Sequence, residues 1–250
     1  MIDTILNHRS IRKYTSEKIS KETLEEILNA GMRASTTGNM QVYSVVVTED
    51  DDNKAQLAPC HFNQPMIKNA PVVLTFCADY NRFNKWCELS NAKPGYDNFL
   101  SFVTGAIDAL LAAQNVCVAA ESKGLGICYL GTTIYTADKI IEVLKLPKGV
   151  VPVTTVTIGY PDESPELADR LPLEGIVHYE EYKDYSDEDI KDLYQEKEQL
   201  PENIGFVKEN GKESLAQVFT DVRYKKQDNV AFSKVLLDVL KSQGFMNHED

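Results

Sequence analysis

Positive charge is scarce in this chain: 26 Lys and Arg residues stand against 38 Asp and Glu, a formal net charge of -12. A surface of that sign repels phosphate backbones and anionic lipid, which argues against general affinity for nucleic acid or anionic membrane. The five cysteines, at 60, 77, 87, 117 and 128, are odd in number and contain no CxxC pair. That usage points to reduced thiols in a cytoplasmic protein. Cys60-His61 has no second pair at zinc-site spacing, so no metal is expected. The first fifteen residues lack a continuous apolar region, which argues against a signal peptide. Catalytic signatures are missing too: there is no GxSxG elbow and no evident Ser-His-Asp or paired-carboxylate constellation. Gly124-Leu125-Gly126 is followed by Tyr129 where a dinucleotide fingerprint needs its third glycine, and it precedes a strand instead of following one. The stretch from Gly205 to Gly211-Lys212-Glu213 is one residue too long for a P-loop and puts a glutamate in place of the magnesium-binding hydroxyl.

What is present suits one substantial core. The chain has 250 residues and is 43% hydrophobic, with no internal repeat or low-complexity run. The reading is therefore a single domain over residues 1–250, with residues 178–250 a helical C-terminal extension of it. Ile19-Ser20 opens a helix with a hydroxyl cap and an Ile19 to Leu24 staple. Strands are expected at Val42 to Thr48, Val72 to Asp79, Gly126 to Leu130 and Val151 to Ile158, the second apolar enough to be buried on both faces. Helices are expected at Asp51 to Leu57 and Ala137 to Leu144. Phe99 to Ala120 has nearly the length of a membrane span but carries Ser101, Thr104, Asp108, Gln114 and Asn115. Its Phe99, Phe102, Val103, Ala106, Ile107, Leu110, Ala113, Cys117 and Ala120 recur at helical spacing and predict a buried or interface helix at the centre of the fold. His178 to Gln199 reads as an exposed acidic helix with a capping-box-like start at Ser186 to Asp189; its Tyr179, Tyr182, Tyr185 and Tyr194 form a partner surface or pack on their own domain. Helices at Leu215 to Val222 and Val230 to Leu240 follow. Alternating strands and helices place the fold in the α/β or α+β class.

Against the acidic background, His8-Arg9-Ser10-Ile11-Arg12 concentrates fixed positive charge and hydrogen-bond donors in one turn. Arginine offers a planar fork that stays charged, and each charge-assisted bond contributes about 1.5 to 3 kcal/mol, enough for two or three to hold a phosphate. A second arginine, Arg170, lies between Pro165 and Pro172 after a strongly apolar strand. With Ser35-Thr36-Thr37-Gly38-Asn39, Tyr129-Leu130-Gly131-Thr132-Thr133, Cys77-Ala78-Asp79 and Gly159-Tyr160-Pro161, these segments form an ordered set. That set resembles the FMN-dependent nitroreductase family over essentially the whole chain, most closely its oxygen-insensitive NAD(P)H nitroreductase and flavin reductase branch.

The resemblance implies an α+β, three-layer α/β/α fold with a central mixed, mainly antiparallel sheet. It implies a homodimer with FMN at the subunit interface and NADPH or NADH as electron donor. By that similarity His8, Arg9 and Ser10 lie against the phosphate and ribityl chain, Arg170 closes the phosphate pocket, and Arg12 sits at the N1 and O2 edge of the ring. Gln64, with Asn63 as the competing neighbour, bonds the polar edge. Ser35, Thr36 and Thr37 approach from the other subunit, and Leu130, Gly131 and Thr132 pack beside N5. Two positions depart from the family pattern: Ala168 stands where a lysine is common, and Thr132 where a second glycine is common. The implied mechanism is ping-pong, with two electrons passing from the nicotinamide through FMN N5 to nitroaromatic, quinone or flavin acceptors. No protein acid or base is required, because the cofactor carries the chemistry. The alternatives are a flavin-modifying or dehalogenating enzyme on the same scaffold, or a flavin-binding interaction protein without turnover.

Overall fold

A computed structural model describes residues 2–248, and the chain divides into two compact units, Met1–Glu166 with Phe232–Asp250, and Leu167–Ala231. In the first unit a short α1 (Ile2–Leu6) precedes α2 (Lys21–Gly31), which opens where the Ser20 hydroxyl accepts the Thr23 N–H at 3.1 Å. There follow β1 (Tyr43–Thr48), α3 (Asp51–Leu57), α4 (Pro65–Asn69), β2 (Val72–Asp79) and α5 (Asn81–Leu89). The long α6 (Phe99–Ser122), β3 (Gly126–Leu130), α7 (Ala137–Leu144) and β4 (Val150–Gly159) complete the run. Apart from one-residue shifts at the ends of β1 and β4, every strand expected from the sequence is found. The helices α1, α4 and α5 were not anticipated. Each is short, and α4 and α5 have no side-chain N-cap to announce them.

The sheet has the order β1-β2-β4-β3, with antiparallel pairing at every ladder. The expected mixed character is confined, among the described residues, to one parallel bridge between Ser10 and Ile127 at the outer edge of β3. On one face Val72, Leu74 and Phe76 of β2 meet Ile27 of α2 and Ala109, Ala112, Ala113 and Val116 of α6. On the other, Val73 packs with Leu57, Met66, Ile67 and Ile140 from α3, α4 and α7. Helices therefore cover both faces, and β2 is buried along its whole length as its apolar run predicts.

α6 is long and apolar enough to cross a membrane by length and composition alone. It is the central core helix, and it buries part of the face that its spacing predicts: Phe102, Ala113, Cys117 and Ala120 are inside. Ile107 and Leu110 point outward with Phe99, Leu100 and Leu111, while Gly105, Asp108, Ala109 and Ala112 turn inward. A helix apolar nearly all round leaves the choice of face to shape. The small side allows close approach: a Cβ at Gly105 would lie 3.0 Å from both the Ala78 Cβ and the Val42 carbonyl oxygen.

The second unit contains α8 (Asp187–Gln199), α9 (Pro201–Glu209) and α10 (Leu215–Val218), the last continuing as a π-helical turn over Phe219–Arg223. The capping box at Ser186 is complete, with Ser186 and Asp189 each accepting the other's backbone N–H. Tyr179, Tyr182 and Tyr185, read from sequence as helical, lie in the loop before it, and only Tyr194 is on the helix. Tyr179 and Tyr182 are 75% and 71% exposed, so neither is packed away as a core tyrosine would be. α11 (Lys226–Gln243) carries the chain back to the first unit, where Val239 and Leu240, with Phe245 beyond, are buried beside Tyr80 and Phe102.

Candidate functional site

The N-terminal basic segment is held along the outer edge of β3. Ser10 bridges Ile127, the Ile11 N–H donates to the Ile127 carbonyl at 2.8 Å, and Tyr14 pairs with Pro161. Two glycines make this approach possible. A Cβ at Gly126 would come within 2.6 Å of Ile11, and one at Gly159 within 2.8 Å of the Tyr14 ring. The Tyr14 hydroxyl donates to the Ile11 carbonyl at 2.6 Å, and burial pushes its pKa well above the ordinary value, keeping it a neutral donor.

Two carboxylates not anticipated from sequence fix this segment further. Glu121 lies 2.6 Å from His8 Nδ1, and Glu163 accepts the N–H groups of Arg12 at 2.6 Å and Lys13 at 3.1 Å. Those bonds, Arg12's foremost, hold the Glu163 carboxyl below its ordinary pKa. The only sequence signal for Glu163 is its place just after Gly159-Tyr160-Pro161. Arg9 is half-buried and lines a shallow cleft with Thr4, Asn7 and Gly124, and its buried Nε has no partner. Glu121 and Glu163 line the same cleft but bond His8 and the backbone of Arg12 and Lys13, and neither is hydrogen-bonded to the Arg9 guanidinium. Arg12 is exposed.

At the other end of β3 the chain brings two further expected segments together. Leu130 is buried, Gly131 is exposed and Thr132 is half-buried. Thr132 Oγ1 lies 2.8 Å from Nδ1 of His61, which is fully buried at the end of the 3-10 turn Ala58–His61. Phe62 and Asn63 then adopt left-handed φ values of 53° and 56°, reversing the chain, and Gln64 takes the N-cap position of α4 with its side chain making no cap bond. Gln64 is half-buried and Asn63 exposed. The Phe62 ring meets Phe232, which stacks on Tyr135 with centroids 4.5 Å apart. Glycine at 131 is not demanded by the chain itself, since a Cβ there meets nothing within 4 Å.

Ser35, Thr36 and Thr37 sit elsewhere. The Thr37 N–H and hydroxyl donate to the buried Asp108 of α6 at 3.0 and 3.3 Å, and the loop feeds β1, the sheet edge opposite β3. One chain does not bring them to the β3 segments. Arg170 belongs to the second unit, where its Nη1 donates to the carbonyls of Ala168 at 3.3 Å and Asp169 at 2.8 Å. Lys197 pairs with Asp169 at 2.6 Å.

The family model described as Nitroreductase family matches residues 5–160. The chain belongs to the nitroreductase family. The matched stretch contains the basic N-terminal segment, the Ser35–Thr37 loop, Gln64 and the end of β3, and stops ten residues before Arg170. Among nitroreductase relatives, an FMN reductase [NAD(P)H] of Bacillus subtilis is 36% identical over 253 residues, covering 98% of this chain and 97% of its own. A solved Bacteroides fragilis structure is 58% identical with a TM-score of 0.97, covering 98% of this chain and all of the other. The NADPH:FMN oxidoreductase of Vibrio harveyi, solved with NAD+, has a TM-score of 0.80 at 30% identity and covers 99% of both chains.

Proposed function

We propose that this nitroreductase is an FMN-dependent NAD(P)H oxidoreductase, and the observation that carries the reading is the unpartnered, half-buried Arg9 at one end of β3, with the Gln64 and Leu130–Thr132 loops drawn together at the other. A phosphate-bearing flavin fits these residues: the buried Arg9 Nε has no partner, and the space over Gly131 is free of the chain's own atoms. His8, Arg9 and Ser10 would hold the phosphate and ribityl chain, with Arg170 closing the pocket. Gln64 would bond the ring's polar edge, and Leu130, Gly131 and Thr132 would lie on its N5 side. Arg12 would place a fixed cation at the N1 and O2 edge, lowering the energy of the charge that reduction puts there. FMN when bound supplies two-electron chemistry at N5, which would run ping-pong from NADH or NADPH to a flat acceptor such as a nitroaromatic, a quinone or free flavin.

The Ser35–Thr37 loop, at the far edge of the sheet, would reach the ring from a second copy of the chain. The outward-facing Leu100, Ile107, Leu110 and Leu111 of α6 support a homodimer, since exposed apolar residues grouped along one helix suit an interface. We read the second unit as an extension of the same domain over residues 1–250, and the protein as cytoplasmic. The test is the visible spectrum of purified protein under anaerobic addition of NADH and then NADPH. Bound flavin bleached by either is the expected result, and the relative rates name the donor. Flavin that stays oxidised with both favours the binding-protein reading or a flavin-modifying or dehalogenating enzyme with another reductant; absence of flavin binding sinks the assignment.

A further inference from the structure

His61 is the one histidine among the described residues that solvent does not reach at all, and it joins the two loops assigned above to the ring. Burial alone pushes its imidazole down to about 4, so at neutral pH the ring carries a single proton. Nδ1 faces the Thr132 hydroxyl, and Nε2 is buried without a partner. Two tautomers are open to it, and they differ in what they leave unpaired. With the proton on Nε2, a buried N–H donor is orphaned and Thr132 spends its only hydroxyl proton on Nδ1. With the proton on Nδ1, the ring donates to Thr132 and only an acceptor lone pair is orphaned, which is the less costly defect.

We propose that His61 is a positioning residue: as the Nδ1–H tautomer it donates to Thr132 Oγ1 and so frees the Thr132 hydroxyl proton to bond an acceptor atom on the edge of a planar ring lying over Leu130–Thr132. The inference rests on the flavin reading for the identity of that ring. It concerns this chain in particular, because the resembling family pattern has glycine, with no hydroxyl, at position 132. The rest of the turn is arranged to keep the pair in register. Thr136 donates its hydroxyl to the Cys60 carbonyl, and the left-handed Phe62 and Asn63 prevent the His61 turn from continuing as helix.

The experiment has two arms. Nitrogen-15 NMR of the histidine rings in flavin-free protein is expected to show a protonated Nδ1 and an unprotonated Nε2 at His61. In FMN titrations, Thr132→Val and His61→Leu are each expected to weaken binding by about 3- to 10-fold, one neutral hydrogen bond's worth. The double variant should lose little more than either single one, and His61→Asn, which keeps an N–H donor near the Nδ1 position, should recover most of the affinity. A protonated Nε2, or Thr132→Val binding FMN like wild type while His61→Leu does not, overturns the proposal and leaves the flavin reading standing. Wild-type protein that binds no FMN overturns both.

Discussion

The two units of the chain hold themselves together by different means. In the first, three clusters of fully buried side chains pack on the sheet, and the site segments are tied to that core through Ile11, Tyr14 and His61. In the second, Leu167–Ala231, only Leu215 and Val218 are buried. What holds this unit besides is a set of polar and ring contacts: the Ser186 capping box, the Lys197–Asp169 and Lys212–Asp221 pairs, the Tyr185 hydroxyl donating to the Gly175 carbonyl, the Arg223 guanidinium over the Phe206 ring and the Phe219–Tyr224 stack. Leu173, Ile176, Tyr179 and Tyr182 meanwhile remain exposed. Exposed ion pairs contribute about 0 to 1 kcal/mol each, far below the ordering cost of 65 residues. On that ground we propose that the segment is an extension of the nitroreductase domain and not an independent module.

The most severe test of that contrast is to cut it. Residues 167–231 expressed alone should show no cooperative thermal transition by circular dichroism. A sharp, reversible transition would mean that the segment has a core of its own.

The second test uses pH, to which the first unit carries a liability of its own. An unfolded imidazole takes up its proton near 6.5, whereas His61 in the folded chain does so only near 4. The unfolded state therefore binds more protons between those values. Stability is complete above about pH 6.5 and falls by about 3 kcal/mol as pH drops to 4. The depressed carboxyls of the second unit, Asp189 held by Ser186 and Asp221 held by Lys212, lose their contribution only below the ordinary carboxylate range. Urea denaturation of wild type and His61→Asn across this window checks the assignment: the variant's midpoint should be nearly flat from pH 6.5 to 4, and a parallel decline in both would place the liability elsewhere.

The same contrast explains what sequence alone makes legible. β2, β3 and α7 are found with the expected bounds because apolar runs and turn residues act locally. The buried face of α6 is legible only in part: Phe102, Ala113, Cys117 and Ala120 follow the apolar spacing, whereas the inward turn at Gly105 depends on its fit against Ala78 and Val42, contacts far away in sequence. In the site, the arginines stand out as charges on an acidic chain, whereas Glu121, Glu163 and His61 have no local pattern. Their roles arise only when β3, the N-terminal segment and the Ala58–His61 turn are folded side by side. The tyrosines of the second unit mislead for a related reason: helical spacing without a core to pack on does not make a helix.

One arginine from each unit sharpens the comparison at the level of ligand. Arg9→Ala and Arg170→Ala should each yield folded protein that binds FMN about 10- to 100-fold more weakly, the worth of a charge-assisted bond of about 1.5 to 3 kcal/mol. Fluorescence titration of the flavin measures it. Full affinity in Arg170→Ala would confine phosphate recognition to the first unit.

The smallest expected effect concerns Ala168. Arg170 donates to the carbonyls beside it, and Lys197, the nearest lysine paired to this loop, is neutralised by Asp169, so the loop presents little free positive charge beyond Arg170 itself. Ala168→Lys adds a solvated cation, and exposed pairs contribute about 0.2 to 1 kcal/mol, which corresponds to FMN binding about 1.5- to 5-fold tighter at low salt. The gain should fade as the screening length shrinks to about 8 Å at physiological ionic strength. Asp169→Asn should act in the same direction by releasing Lys197. If neither change moves the dissociation constant at low salt, the phosphate's charge is already met by Arg9 and Arg170, and the absent lysine costs this nitroreductase nothing.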